Sequence, residues 1–242
     1  MNKNIKIGIA GAGVEGLSLL KYFSQHGYRD ITVFDENKNL DIELASGIKC
    51  IFGEDCFSKI GQCDVVFRSP GIHPKKMQNL TDKCEISSLT KYFFKHCPCK
   101  IIGITGTKGK GTTATLLYLM LKEAGFDTYL GGNIGKSSLD FLDDLKEDSV
   151  VVLELSSFQL QDLDISPHIA IVLGVTSDHL DYHKGKIEYL EAKSAIVKYQ
   201  SGRDIAIFNK DYANSDYFSA MTKVKKFFVS AKETNFSGDG AH

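Results

Sequence analysis

Residues 101–113, IIGITGTKGKGTT, restrict the fold of this chain more than any other stretch. The apolar run KIIGIT predicts a buried strand, and ATLLYLMLKEAG after the stretch predicts an amphipathic helix. Between them lies a turn with Lys108 and Lys110. Four glycines in thirteen residues weaken a fold unless a close backbone approach needs them. Such a turn lets backbone amides close around a polyphosphate, and the helix N-terminus adds donors and partial positive charge. The candidate phosphate-binding set is therefore Gly106, Thr107, Lys108, Gly109, Lys110, Gly111, Thr112 and Thr113. The spacing departs from a strict phosphate loop. A glycine is expected where Ile104 stands, and Ser or Thr directly after Lys110, where Gly111 stands. A tight strand-to-helix turn without a ligand is the alternative.

With 242 residues, 43% of them hydrophobic and 24% charged, the chain suits two globular domains. The formal net charge of −1 implies neither a nucleic-acid nor a membrane partner. No apolar run reaches the length of a membrane span, and the opening MNKNIKIGIAGAG enters a strand without the apolar core of a signal peptide. A cytoplasmic location is expected. All six cysteines lie in the first hundred residues, none in a CxxC pair. They read as free thiols of a reducing compartment, with Cys97-Pro98-Cys99 as a metal or redox site the alternative.

Near the start, the strand IKIGIA runs into Gly11-Ala-Gly-Val-Glu-Gly16, then a helix through LSLLKYFSQHG, then a strand ITVFD ending at Asp35. This is a βαβ unit with a dinucleotide-type fingerprint, the acidic residue nineteen positions past the last glycine. It suits NAD, FAD or any ligand that places a diphosphate on the helix and a ribose or base near Asp35; a Rossmann-like domain with no ligand is the alternative. Further strands are expected at 47–52 and 64–68. The second leads into the loop Ser69-Pro-Gly-Ile72 at a strand's carboxyl end, where open α/β sheets bind ligands. A helix at 91–96 closes this domain, and Pro98 marks the joint. The expected domains are 1–97 and 98–242.

In the second domain, a strand at 128–130 leads to Gly131-Gly-Asn133-Ile-Gly135, either a turn presenting an amide to a ligand or an ordinary loop. SVVVLEL at 149–155 predicts a central parallel strand. Glu154 interrupts its end beside Ser156; a carboxylate there is costly to bury unless paired or metal-bound, and a metal role is preferred to a salt bridge. A strand at 168–175 ends in TSDHLDYH, where His179 and His183 stand four apart with Asp178 and Asp181 between them. Zinc lacks the HExxH glutamate, so a hard-cation site with His179 as ligand is preferred. KIEYLEAKSAIVKYQ at 186–200 predicts a helix with Ile187, Leu190, Ile196 and Val197 toward the sheet and Lys193 near its middle; periodicity alone reads that lysine as solvated. Two more strands, at 204–208 and 225–229, flank a short helix, and residues 235–242 read as a trailing end.

Taken in order, GTKGKGTT, GGNIG, LELSSFQL, TSDHLDYH and YLEAKSAI behind a GxGxxGLS domain resemble the Mur ligases, which build the peptidoglycan stem peptide. Within that family the chain is most similar to the branch that joins D-glutamate to UDP-N-acetylmuramoyl-L-alanine. The resemblance covers nearly the whole chain. It implies a Rossmann-like parallel-sheet domain for the UDP part of the substrate, followed by an incomplete phosphate-loop α/β domain for ATP. The UDP contacts then fall on Gly13, Val14, Glu15, Gly16, Asp35 and Ser69. Asn133 and Ser156 fall on the muramoyl substrate, and Lys110 on the ATP phosphates. The same resemblance implies two Mg2+ sites drawing on Glu154, His179, Lys193 and Thr112, with Lys193 carbamylated and therefore functional rather than solvated.

The implied chemistry forms an acyl phosphate and ADP, after which the amine of D-glutamate displaces phosphate; Lys110, His179 and Lys193 are the implied catalytic residues. Two departures stand out. Gly111 replaces the usual magnesium-binding Ser or Thr, leaving Thr112 to substitute. Its GKG is reminiscent of folylpolyglutamate synthase, although that enzyme lacks a front domain like residues 1–97. The chain also stops before the family's third domain, so a fragment, or a truncated UDP-sugar-binding module with little activity alone, is the second expectation.

Overall fold

The strands Ile7–Ala10 (IGIA) and Val150–Glu154 (VVVLE) carry near-continuous apolar runs, as expected inside parallel sheets covered on both faces. The computed structural model describes residues 3–40, 48–80, 84–176, 185–232 and 240–241. The chain divides into two compact units, Met1–Tyr92 and Phe93–His242, a division inside a helix a few residues before the expected joint.

The first unit holds β1 (Ile7–Ala10), α1 (Val14–Gln25), β2 (Ile31–Asp35), β3 (Lys49–Phe52), β4 (Val65–Arg68) and β5 (Glu85–Ser87), with α2 (Leu89–His96) at its end. The strands form one parallel sheet in the order β3-β2-β1-β4-β5. The order reverses between β1 and β4, so the loops after these two strands open at the same carboxyl edge. Phe23 of α1 packs 4.9 Å from Phe67 and edge-on to Tyr92. A second cluster gathers Phe34, Ile60, Val66 and Met77.

The second unit runs β6 (Lys100–Thr105), α3 (Lys110–Glu123), β7 (Thr128–Gly132), β8 (Val150–Glu154), α4 (Ser157–Leu160), β9 (Ile169–Val172), α5 (Lys186–Lys198), β10 (Ile205–Asn209), α6 (Ser215–Ala220), β11 (Lys225–Val229) and β12 (Gly240–Ala241). Its parallel sheet has the order β12-β11-β10-β9-β6-β8-β7. The α/β class expected from the motifs is what the chain adopts.

Three local expectations change. Gly240–Ala241 pairs in parallel with Phe228 and Val229, because β11 leaves an edge to pair with, so a strand stands where the composition suggested a trailing end. Ile187 is 73% exposed: it lies in the first turn of α5, outside the face that buries Leu190, Ile196 and Val197. And α3 is only weakly amphipathic. Ala114 is its one fully buried residue, Leu117, Tyr118 and Leu121 pack toward Ile104 and Val152, and Leu116, Leu119 and Met120 face solvent.

Candidate functional site

Each unit carries a glycine loop at the carboxyl edge of its sheet, between its first strand and the helix that follows. In the first, Gly11 adopts φ 94°, and a Cβ there would lie 2.8 Å from the Ser69 hydroxyl. The Ser69 hydroxyl donates to Gly11 O at 3.1 Å, and Ser69 N donates to Ala10 O at 2.8 Å, so the two loops at the switch point form one surface. Gly16 has no room for a side chain, since a Cβ would collide with Gly11 O. Gly13 and Val14 are exposed at the start of α1, Val14 to 85%, with Glu15 half-buried behind them. Exposed backbone amides at an uncapped helix start are what a diphosphate needs.

Asp35 holds this loop from behind. Its carboxylate accepts from Ala12 N at 2.8 Å and from Asn37 N at 2.9 Å, so its role within the described residues is to fix the loop. Arg68, which spacing did not single out, is buried to 1% exposure at the end of β4. Its guanidinium donates to the carbonyls of Ser69 (3.2 Å), Pro70 (3.4 Å) and Ile72, organising the Ser69–Ile72 loop from beneath. A buried arginine at a strand end looks in sequence like an exposed one; only the fold distinguishes them.

In the second unit, the phosphate loop leaves β6 and enters α3 through Gly109, which takes φ 82° at the helix N-cap without a side-chain cap. Gly106 sits against Leu173, where a Cβ would lie 2.8 Å from that side chain. Thr107 fastens the loop to the segment after β9: its N–H donates to Gly174 O at 2.8 Å, and its hydroxyl accepts from Thr176 N at 2.8 Å. Lys110 Nζ folds back onto Thr107 O at 3.1 Å. Lys108 and Thr112 are exposed, and Thr113 N continues the helix by donating to Gly109 O at 2.9 Å.

Below the loop, at the end of β8, Glu154 is only 4% exposed. Among the described residues, its side chain has one hydrogen-bond partner, the Asn133 amide, which donates to Oε1 at 3.4 Å. The other oxygen faces α3: a Cβ on Gly111 would lie 3.1 Å from Oε2. A side chain at 111 would stand in close contact with this carboxylate, whose end would have to shift by a few tenths of an ångström to admit it. Asn133 is anchored in turn by donating its own N–H to Glu154 O at 2.9 Å, and Gly132 at φ 99° lets the two backbones touch. Ser156 caps α4 in a reciprocal box with Gln159, whose N–H it accepts at 3.3 Å.

Lys193 is 2% exposed, which corrects the solvated reading from periodicity alone. Its amine donates to Thr105 Oγ1 at 3.2 Å and to Gly106 O at 3.1 Å, directly under the phosphate loop. It stands 4.9 Å from the Tyr189 ring, whose hydroxyl lies 3.3 Å from Thr107 Oγ1. Tyr189 is four residues before Lys193, so α5 presents both on one face, a spacing that the sequence itself displays. The structure thus gathers Lys110, Glu154, Asn133 and Lys193 around one loop. His179, Asp178, Asp181 and His183 lie outside the described residues. Among the described residues, no group of three His, Cys, Asp or Glu side chains forms a metal cluster.

All six cysteines are free thiols. Cys97 and Cys99 place their sulfurs 3.5 Å apart, and burial pushes the Cys99 thiol up to about 12, away from the reactive thiolate.

The Mur ligase middle domain model matches residues 104–240, more than half of the chain. Among curated proteins, UDP-N-acetylmuramoylalanine–D-glutamate ligase of Clostridium botulinum is 37% identical over 241 residues, covering 95% of this chain and 52% of that protein. The Clostridium kluyveri ligase of the same name is 36% identical over 238 residues, again covering 52% of its length. The chain therefore spans about half the length of these relatives. Among solved structures, a Neisseria ligase described as UDP-N-acetylmuramate:L-alanyl-gamma-D-glutamyl-meso-diaminopimelate ligase superposes with a TM-score of 0.59 at 16% identity, covering 97% of this chain and 82% of that one. MurF ligase from Thermotoga maritima, solved in complex with ADP, gives 0.50 at 18% identity, covering 96% of this chain and 49% of that one. These two likenesses speak for the fold. With a middle-domain match over more than half its length, on the fold those ligases share, this chain belongs to the Mur ligase family.

Proposed function

We propose that this chain carries the UDP-substrate unit and the ATP unit of a ligase that joins D-glutamate to UDP-N-acetylmuramoyl-L-alanine in peptidoglycan synthesis, in the cytoplasm. One observation carries the reading: a phosphate loop closes over a buried carboxylate and a buried lysine, at the carboxyl ends of neighbouring strands β8, β6 and β9. The 37% identity to ligases of that name supports the choice of substrate.

In this reading Gly13, Val14, Glu15 and Gly16, with Asp35 and Ser69 behind them, receive the UDP group, while Asn133 and Ser156 meet the muramoyl end. The amides of 106–113 and the Lys110 ammonium hold the triphosphate. The substrate carboxylate attacks the γ-phosphorus and ADP leaves; the D-glutamate amine then attacks the acyl phosphate, a proton is lost and phosphate leaves. The protein's share is positioning and charge stabilisation, worth on the order of 7–11 kcal/mol when reactants are well oriented. Magnesium, when bound, neutralises phosphate charge. Glu154 fits such an ion, being a buried carboxylate whose one partner among the described residues is a neutral amide. His179 and Thr112 complete the proposed ligand set. Lys193 joins it as a carbamate, since the free amine is itself a cation and already donates to two oxygens of the loop.

Calorimetric titration tests the reading. MgADP and UDP-N-acetylmuramoyl-L-alanine are each expected to bind, and Lys110→Ala to weaken MgADP at least tenfold while leaving the UDP ligand unaffected. NADH titration is expected to give no signal; tight NADH binding in place of the UDP ligand would overturn the assignment of the first unit.

A further inference from the structure

Beside the phosphate loop, the turn after β10 holds an aromatic ring in an unusual setting. Tyr212 lies flat against Gly174, where a Cβ would overlap the ring carbons, at 2.5 Å from one and 2.6 Å from another. Gly174 is the residue whose carbonyl accepts the Thr107 N–H of the phosphate loop at 2.8 Å. The ring is thus one residue removed from the loop, and on the same carboxyl edge of the sheet, because β10 adjoins β9 and β9 adjoins β6. Ligands of open parallel sheets bind outside that edge.

The turn itself is held at several points. Asn214 Nδ2 donates to Val175 O at 2.9 Å. Asp211 accepts from the Ser230 hydroxyl and from Ala231 N at 3.0 Å, and Asp211 N donates to Asn209 Oδ1 at 3.0 Å. So Tyr212 sits on a braced turn, backed on one side by glycine backbone, and still leaves 41% of its surface to solvent. A single exposed tyrosine is ordinary on a protein surface. A rigidly backed one beside a phosphate loop has the makings of a stacking platform: an aromatic face held in place costs little ordering on binding, and any base offers a π-face to it.

We propose that Tyr212 is the surface on which the nucleobase of the phosphate-loop ligand stacks, making it a binding residue. The proposal rests on the nucleotide reading of the loop, and the test separates the two. Titrate the chain with MgADP and with magnesium pyrophosphate, which offers phosphates and no base. Tyr212→Ala is expected to weaken MgADP by roughly five- to a hundredfold, the range of base-aromatic stacking, and Tyr212→Phe to change it little. Neither substitution should alter pyrophosphate affinity. The chain has no tryptophan, so Tyr212→Trp supplies a single indole reporter. Its fluorescence is expected to be quenched by MgADP and untouched by pyrophosphate, a readout that loss of fold would not imitate. Equal MgADP affinity in wild type and Tyr212→Ala, or no quenching of the Trp variant while MgADP binds, overturns the stacking role and leaves the phosphate loop standing. Failure of the wild type to bind either ligand overturns both.

Discussion

Glu154 illustrates how much a single buried charge can say. A carboxylate at 4% exposure is held, among the described residues, by one amide at 3.4 Å, a poor exchange for water unless a cation arrives. Glu154→Gln keeps the shape and removes the charge. Without magnesium, its melting temperature is expected to equal or exceed that of the wild type. With magnesium, the gain in ADP affinity that the metal confers on the wild type is expected to fall by about tenfold or more, as calorimetry with and without EDTA would show. An unchanged magnesium gain would remove Glu154 from the metal site. Lys193 makes the complementary point. Its buried amine reaches two oxygens of the loop, so as an ammonium the residue is a strut beneath the phosphate site, whereas a carbamate, with a single N–H, would keep at most one of these two bonds.

At the scale of elements, the glycines of the first loop divide by what surrounds them. Gly16 is pressed against the carbonyl of Gly11, whereas a Cβ added at Gly13 would meet nothing within 4 Å, and its φ of −74° is open to any residue. Gly16→Ala is therefore expected to destabilise the first unit by about 2 kcal/mol or more, since backbone must shift to admit one methyl group. Gly13→Ala is expected to stay within about 0.5 kcal/mol of wild type in chemical denaturation. It should nonetheless weaken a UDP ligand, because that open space is where a diphosphate would approach the amides. The fingerprint GxGxxG was legible as a spacing; which glycine serves packing and which serves access follows from neighbours the spacing cannot display. The same holds for α3, whose sequence looks amphipathic while only Ala114 is fully enclosed.

Over the whole molecule, each unit has its own parallel sheet and its own apolar core, so each has the means to unfold as a unit. Differential scanning calorimetry is expected to show two transitions. MgADP should raise only the transition of the second unit and the UDP ligand only that of the first. Ligand at a hundred times its Kd stabilises by about 2.7 kcal/mol, enough to separate the peaks by several degrees. A single transition raised equally by both ligands would contradict this independence.

Strand-loop-helix order was determined by the sequence alone, because apolar runs and glycine turns act over a few residues and carry their own signature. The two glycine loops, the Glu154 strand end and the α/β class were all readable on those terms. The motif-based family resemblance likewise rested on short contiguous stretches. What the tertiary structure decided involves residues distant in the chain. Lys193 meets Thr105 across 88 positions, Ser69 meets Gly11 across 58, and Tyr212 settles on Gly174. Burial of Arg68 and Lys193 belongs there too, since a charged side chain is enclosed only when other elements close around it. Local patterns specify elements; which side chains end in the same few ångströms depends on how the strand order of each sheet, five strands in one and seven in the other, brings their ends together.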